Sequence, residues 1–414
     1  MSRRGLIVVR NGVTHDARVL REAATMAEAG LEPLVLGVQT TTERRRRSVE
    51  AGFPVLRLDP MASWRRTLSR LRPGWAVAAP DAGAAPASTS GGRVAPPAVP
   101  GPAPGRRAHV RRLLVALDFY RQAIGVTRRL RPAVVHCNDH NTMWVGVAAR
   151  LLTGARVIYD SHELWPDRNG RPEWRPALLA GEALFVRAAD LVMTTSPGYA
   201  DVIARRYRVA RPAVVRNVPA GLPGGAPEPQ PPDGDPVAVY VGGILRGRGI
   251  EQAIDALPMA PGVRLRCIGP GAGAYRAELA RRAAQRGVGN RVELVEPVAP
   301  DAVVASLRGA AMGLMLIQPV CLSYELTLPN KMFEYAAAGL PMVVSDLPVM
   351  AGITREYGCG VVVAPADPGA IAAAMHRLLD PRLHEACAAG ARRLAAEVTW
   401  DGEQARLRAA YAAP

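Results

Sequence analysis

At 414 residues, 49 % hydrophobic and 21 % charged, the chain has the size and balance of a soluble protein with two or three cored domains. No run reaches the ~18 apolar residues of a membrane span, and Met1–Asn11 is too short for a signal peptide, so a cytoplasmic protein is expected. The formal charge of +16 sits wholly in residues 1–220, where 34 Arg face 17 acidic residues, while 221–414 is near neutral.

Lys331 is the only lysine among 52 basic residues, so an arginine-favouring coding bias accounts for part of the total but not for its asymmetry. A basic first half suits an anionic membrane surface or a phosphorylated acceptor, and association at the inner face of a membrane is the expectation; nucleic acid is not. The five cysteines are scattered and form no CxxC pair, which reads as free thiols rather than a zinc site.

In the first half the strand candidates are 5–10, 33–38, 133–138, 156–161, 191–196 and 213–218, with an amphipathic helix over 16–29. Residues 74–107 are Pro, Ala, Gly and Ser with few large apolar side chains, the composition of a disordered insertion. Gly221–Pro236 has the composition of a linker. The second half repeats the pattern, with strand candidates at 237–243, 263–269, 291–297, 312–317, 342–346 and 360–365. Nearly unbroken β-branched runs alternating with helices predict an α/β protein of two doubly wound, Rossmann-like domains facing across a cleft. The expected boundaries are 1–220 for an acceptor-side domain, 221–236 for the linker, 237–398 for a nucleotide-sugar domain and 399–414 for a tail helix crossing back to the first domain. Ligands of such sheets bind beyond the carboxyl ends of the strands.

The sharpest pattern is LPNKMFEYAAAGLPMVVSD, in which Pro329 opens a helix and Gly339-Leu340-Pro341 closes it. The helix start at Asn330 offers free N–H groups to a phosphate. Lys331 can reach a diphosphate, and Glu334, on the same face, can accept hydrogen bonds from a ribose diol. The plain alternative is a solvated i, i+3 ion pair. A second element, YVGGILRGRGIEQAIDAL, sets Gly242-Gly243, Arg246 and Arg248 in a strand-to-helix turn where two guanidiniums can neutralise a leaving diphosphate. CIGPGAGAY (267–275) is a third such junction.

These strings, with YDSHELWPD, the NGVTHDARVLREA start and the TW-containing tail, resemble the retaining GT-B glycosyltransferases of the large family 4 group over nearly the whole chain apart from 74–107. The resemblance implies that Glu334 binds the ribose of a UDP- or GDP-type donor, that the loop before it cradles the diphosphate, and that no metal or cofactor takes part. Many members carry two glutamates separated by seven residues; here the first position, eight before Glu334, is Leu326, and its role falls either to backbone groups around Leu326 to Leu328 or to Glu325 from a shifted loop. Of the family's Arg and Lys in the glycine-rich turn, the first position is Gly243 and the second is Arg248, which leaves Arg246 as a stand-in. The third junction lies near the base.

In the first half, Arg10-Asn11-Gly12 ends a strand, and Gly12 can bring its backbone close to phosphates or acceptor. Asp16 reads best as a helix N-cap. Asp160, His162 and Glu163 gather at the end of another strand, and the resemblance puts His162 beside the reacting carbon. A polar turn that only holds its loop is the competing reading. Asp139, in HCNDH (136–140), is assigned to loop structure or acceptor contact. Asp233-Gly234-Asp235 mimics a metal-binding DxD but lies in the linker. The function expected is retaining, metal-independent transfer of a sugar from a nucleotide donor to a lipid-linked, cell-envelope or natural-product acceptor. A non-catalytic homologue acting as a partner protein, or a sugar-nucleotide epimerase, are the rivals.

Overall fold

The computed structural model describes residues 3–14, 16–40, 43–61, 106–170, 174–219 and 234–412, with backbone alone at 106–109. Residues 74–105 and 221–233, including Asp233, lie outside the described residues. The described residues form two compact units, one taking those up to 215 together with 404–412, the other taking those of 216–403.

In the first unit the sheet order is β3-β4-β2-β1-β5-β6-β7-β8. The strands are β1 (Arg3–Val8), β2 (Leu31–Val38), β3 (Arg47–Glu50), β4 (Phe53–Leu58), β5 (Val134–Asn138), β6 (Arg156–Ser161), β7 (Leu191–Thr194) and β8 (Ala213–Val214). All pair in parallel except β3 with β4. That antiparallel hairpin was not expected from the sequence. Its two-residue turn places Ala51 at φ 48° and Gly52 at φ 86°, the two positive angles that match strand twist in a tight hairpin. Arg47, Glu50, Pro54 and Arg57 break the apolar run, which hides the edge strand β3 and its neighbour β4 from a search for buried ones. A further correction concerns Arg106 and Arg107, which open the helix Arg106–Leu130 rather than ending an insertion.

The second unit is wholly parallel, in the order β11-β10-β9-β12-β13-β14. Its strands are β9 (Val237–Val241), β10 (Arg264–Ile268), β11 (Val292–Val295), β12 (Met312–Met315), β13 (Met342–Ser345) and β14 (Gly360–Val363). Apolar clusters cover both faces, one around Ile254, Leu265 and Met375, the other around Met315, Phe333 and Met350. A sheet buried on both sides explains why its strands read as continuous Val, Leu and Ile runs. All five cysteines are free thiols, and burial pushes Cys137 and Cys267 up to about 12.

Candidate donor and acceptor sites

In an open α/β sheet the chain winds outward in opposite directions from one point, and the loops there leave a crevice. In the second unit that point lies between β9 and β12, and three features open it. Only Ala238 and Val239 of β9 pair with β12. Tyr335, fully buried on the helix Asn330–Ala337, places its hydroxyl between the strands, accepting from Val241 N–H at 3.1 Å and lying 3.2 Å from the carbonyls of Val239 and Leu314. Gly313 makes room for this ring, since a Cβ there would stand 2.5 Å from it. Tyr335 therefore seats the helix start at the carboxyl ends of β9 and β12.

Lys331 follows from that seating. It is 7 % exposed, and its ammonium sits 3.6 Å from the centroid of the Tyr240 ring. Gly242, at φ +120°, admits it, because a Cβ there would lie 3.3 Å from Nζ. Tyr240 in turn donates its hydroxyl proton to the Gly243 carbonyl at 2.6 Å. Burial, and then the Arg248 charge, push the Lys331 amine well below its ordinary range, while Glu334 opposes them. Among the described residues no carboxylate lies within ion-pair distance of Lys331 or Arg248. Arg248 stacks over Tyr324 at 4.5 Å, in a loop held by the hydrogen bond from Gln318 N–H to the Gly247 carbonyl at 2.9 Å. Gly249 ends this loop, and any side chain there would strike the Leu316 carbonyl.

The structure thus brings Gly243, Arg248, Lys331 and half-buried Glu334 to one crevice, with Asn330 exposed as the first residue of the helix. Leu326 ends the short helix Leu322–Glu325, and Glu325 is half-buried on it. Arg246 is turned elsewhere: it pairs with Glu278 at 2.5 Å and Glu251 at 3.8 Å and lies over Tyr275. Tyr240, Tyr324 and Tyr335 were missed from the sequence, where a tyrosine in an apolar run reads as core.

The first unit builds a different cluster. Asp160, at the end of β6 and fully buried, takes Arg18 in a bidentate grip on Oδ2 at 2.5 and 3.1 Å. Arg18 also reaches Glu22 at 3.0 Å and donates to the Val215 carbonyl at 3.1 Å. His136 approaches the same Asp160 oxygen at 3.4 Å and shares a hydrogen bond of 2.8 Å with the Tyr411 hydroxyl. His162 stands 3.3 Å from Asp160 and 3.8 Å from Asp139, whose carboxylate also accepts the His162 backbone N–H at 3.3 Å. Burial opposes charge on His162, but Asp160 and Asp139 outweigh it and lift the imidazole to about 9. Asp160 stays well below the usual carboxylate range: burial works against it, and Arg18 and His162 prevail. Glu22 is raised by burial.

Glu22, His136 and Asp160 offer ligand atoms close enough together for a metal ion. The Arg18 guanidinium, already bonded to both carboxylates, supplies the positive charge there instead. Of the other sequence candidates, Glu163 pairs with Arg168 at 2.5 Å, and Gly12 turns its carbonyl to the buried Arg57 at 2.7 Å. Asp16 caps the helix Ala17–Glu28 through Val19 N–H at 3.2 Å. Arg18, His136 and Tyr411 were not singled out from the sequence.

Two doubly wound sheets, each with polar groups gathered beyond its strand ends, are the architecture of the GT-B glycosyltransferases. Residues 15–221 match the glycosyl transferase 4-like domain and residues 235–381 match the glycosyl transferases group 1 domain, and the chain belongs to this family. It is 28 % identical over 296 residues to the D-inositol 3-phosphate glycosyltransferase of Acidothermus cellulolyticus, a match covering 65 % of this chain and 64 % of that one. Sucrose-phosphate synthase from Thermosynechococcus elongatus superimposes with a TM-score of 0.74 at 18 % identity, over 99 % of this chain and 98 % of that one. Anabaena HepE, solved in complex with UDP and glucose, gives a TM-score of 0.66 at 14 % identity over the full length of both chains.

Proposed function

We propose that this chain transfers a sugar, with retention, from a nucleoside-diphosphate donor bound in the second unit to a hydroxyl acceptor presented at an anionic membrane surface. The observation that carries the donor half is buried Lys331 beside half-buried Arg248, neither with a carboxylate at ion-pair distance among the described residues, at the point where the strand order reverses. Burying an amine without a carboxylate costs stability, and an anionic ligand removes that cost. The diphosphate lies against Lys331, Arg248 and the helix start at Asn330, with Gly243 allowing its close approach. Glu334 receives the ribose hydroxyls, and Leu326 with its neighbours borders the sugar. As the anomeric C–O bond breaks, its electron pair moves to the diphosphate. Fixed cations aimed at the leaving group stabilise that growing charge more than they do the intact donor. In the first unit a cationic His162, held by Asp160 and Asp139, offers a charged hydrogen bond to a sugar or phosphate oxygen.

Support for a nucleotide donor comes from HepE, whose complex holds UDP and glucose. The test is calorimetry with UDP and GDP, followed by donor hydrolysis across a panel of nucleotide sugars. Wild type is expected to bind one nucleotide, and Glu334→Ala to weaken it by about 2 kcal/mol, or roughly thirtyfold, as for a hydrogen bond to a charged group. Unchanged affinity would defeat the assignment. Binding without hydrolysis would favour a non-catalytic partner, and isomerisation of the donor an epimerase.

A further inference from the structure

Apolar residues exposed singly are unremarkable; a contiguous set needs a partner. Of the eleven large apolar side chains exposed among the described residues, eight come from one stretch of the first unit, so their placement is not scattered. They belong to three helices, Arg106–Leu130, Met143–Thr153 and Arg175–Ala188 with its cap Trp174. The middle helix packs against each of the other two. The strand order β1-β5-β6-β7 advances in one direction, and right-handed crossovers put these connections on one face of the sheet.

On the first helix Val110, Leu113 and Leu117 recur at i, i+3 and i+7, one stripe, each about half exposed. The second helix adds Trp144, Leu151 and Leu152, with Leu151 at 78 % exposure, and the third adds Trp174 at 75 % and Leu184. The charges on the same helices have one sign. Arg111, Arg112, Arg128 and Arg129 are exposed, and among the described residues none has an ion-pair partner. The only acids in these helices are Asp118 and Glu182, both buried.

We propose that this three-helix face docks on an anionic phospholipid bilayer, with its Leu and Trp side chains entering the headgroup boundary and its arginines pairing with lipid phosphates. A bilayer offers hydrocarbon and anions side by side over such a breadth. A second copy of the chain would bring like-charged arginines together. Nucleic acid would leave the leucines against water. The inference deepens the proposed function by locating its acceptor side, but the lipid contact does not depend on the donor chemistry.

Flotation of the full chain with phosphatidylcholine vesicles, with and without phosphatidylglycerol, tests it. Wild type is expected to float only with the anionic vesicles and to be released by high salt. Leu113→Glu with Leu117→Glu, and separately Arg111→Glu with Arg112→Glu, are each expected to weaken binding about tenfold or more, since each charge near the surface counts. Melting temperature and nucleotide affinity should stay at wild-type values in both pairs. Failure of wild type to float, or retention of binding by the Leu pair, would overturn the proposal. So would a fall in melting temperature in the Leu pair, which would show the stripe to be packed in the protein, or a wild-type dimer that the substitutions dissolve.

Discussion

The two units each bury cations near the ends of their strands, and they treat them in opposite ways. In the first, Arg18 and His162 converge on the carboxylate of Asp160, with Glu22 and Asp139 close by. Charge is met by charge, and the pairing fixes the protonation of each group. In the second, Lys331 and Arg248 face tyrosine rings instead. Aromatic faces hold a cation in place with modest strength but leave its charge uncancelled. A closed network holds its own parts in position, whereas an open pair has capacity left for an anion.

The largest effect should come from breaking the closed network. Asp160→Asn leaves Arg18 buried without its partner, and the fold should lose about 3–5 kcal/mol, measured by urea unfolding. The pH dependence gives a finer check. His162 is raised in the folded state to about 9, against ~6.5 unfolded. Its contribution to stability is therefore fully present below pH ~6.5 and is lost as the pH rises through about 9. Wild-type stability should fall across that window, and in Asp160→Asn the fall should largely vanish. A variant as stable as wild type, with the same slope, would mean that Asp160 does not hold His162.

This contrast was legible in the sequence more fully on one side than on the other. The parallel strands announced themselves through β-branched runs, and the order of elements followed. Strand ends were read too long at the site: 237–243 stops at Val241 and 312–317 at Met315. The surplus residues, Gly242 and Gly243 among them, are crevice loops that carry apolar or small side chains and so look like strand. Lys331 stood out because a lone lysine at a helix start, with Glu334 one turn on, is a local pattern. In the first unit Asp160 and His162 were marked by their place at a strand end, but Arg18, His136 and Tyr411 have no such pattern. The pair Arg18–Asp160 spans 142 residues and His136–Tyr411 spans 275, so only the folded sheet brings them together. Tyr335 and Gly313 depend on each other for the same reason: the glycine is unremarkable until the ring that needs its space is placed.

Next in size is an effect on the open pair, with opposite signs for binding and stability. Lys331→Met removes a buried amine that Glu334 offsets only in part and keeps the stem volume, so the melting temperature should hold or rise. Affinity for the nucleotide should drop by roughly 2–3 kcal/mol, as expected for loss of a charged hydrogen bond. Wild-type binding should also take up a proton. The Lys331 amine is depressed in the empty site, and a diphosphate beside it favours the charged form. Calorimetry in buffers of different ionisation enthalpy would read this uptake, and affinity should decline as the pH rises past the amine's value in the complex. A Lys331→Met protein that melts lower but binds normally would make Lys331 a packing residue.

The smallest effect is the most discriminating. Arg246 and Arg248 are two residues apart in one glycine-rich loop, and the sequence favours Arg248 with Arg246 as a stand-in. The structure gives Arg246 two carboxylates, Glu278 and Glu251, and Arg248 none among the described residues. A guanidinium already paired at the surface contributes about 0–1 kcal/mol and has little left to give a diphosphate. Arg246→Ala should change nucleotide affinity by less than about threefold, while Arg248→Ala should cost tenfold or more. Equal losses would show that Arg246 leaves Glu278 for the phosphates when the donor arrives. The open site would then hold three cations, and the acid partners of Arg246 would serve to hold it in reserve.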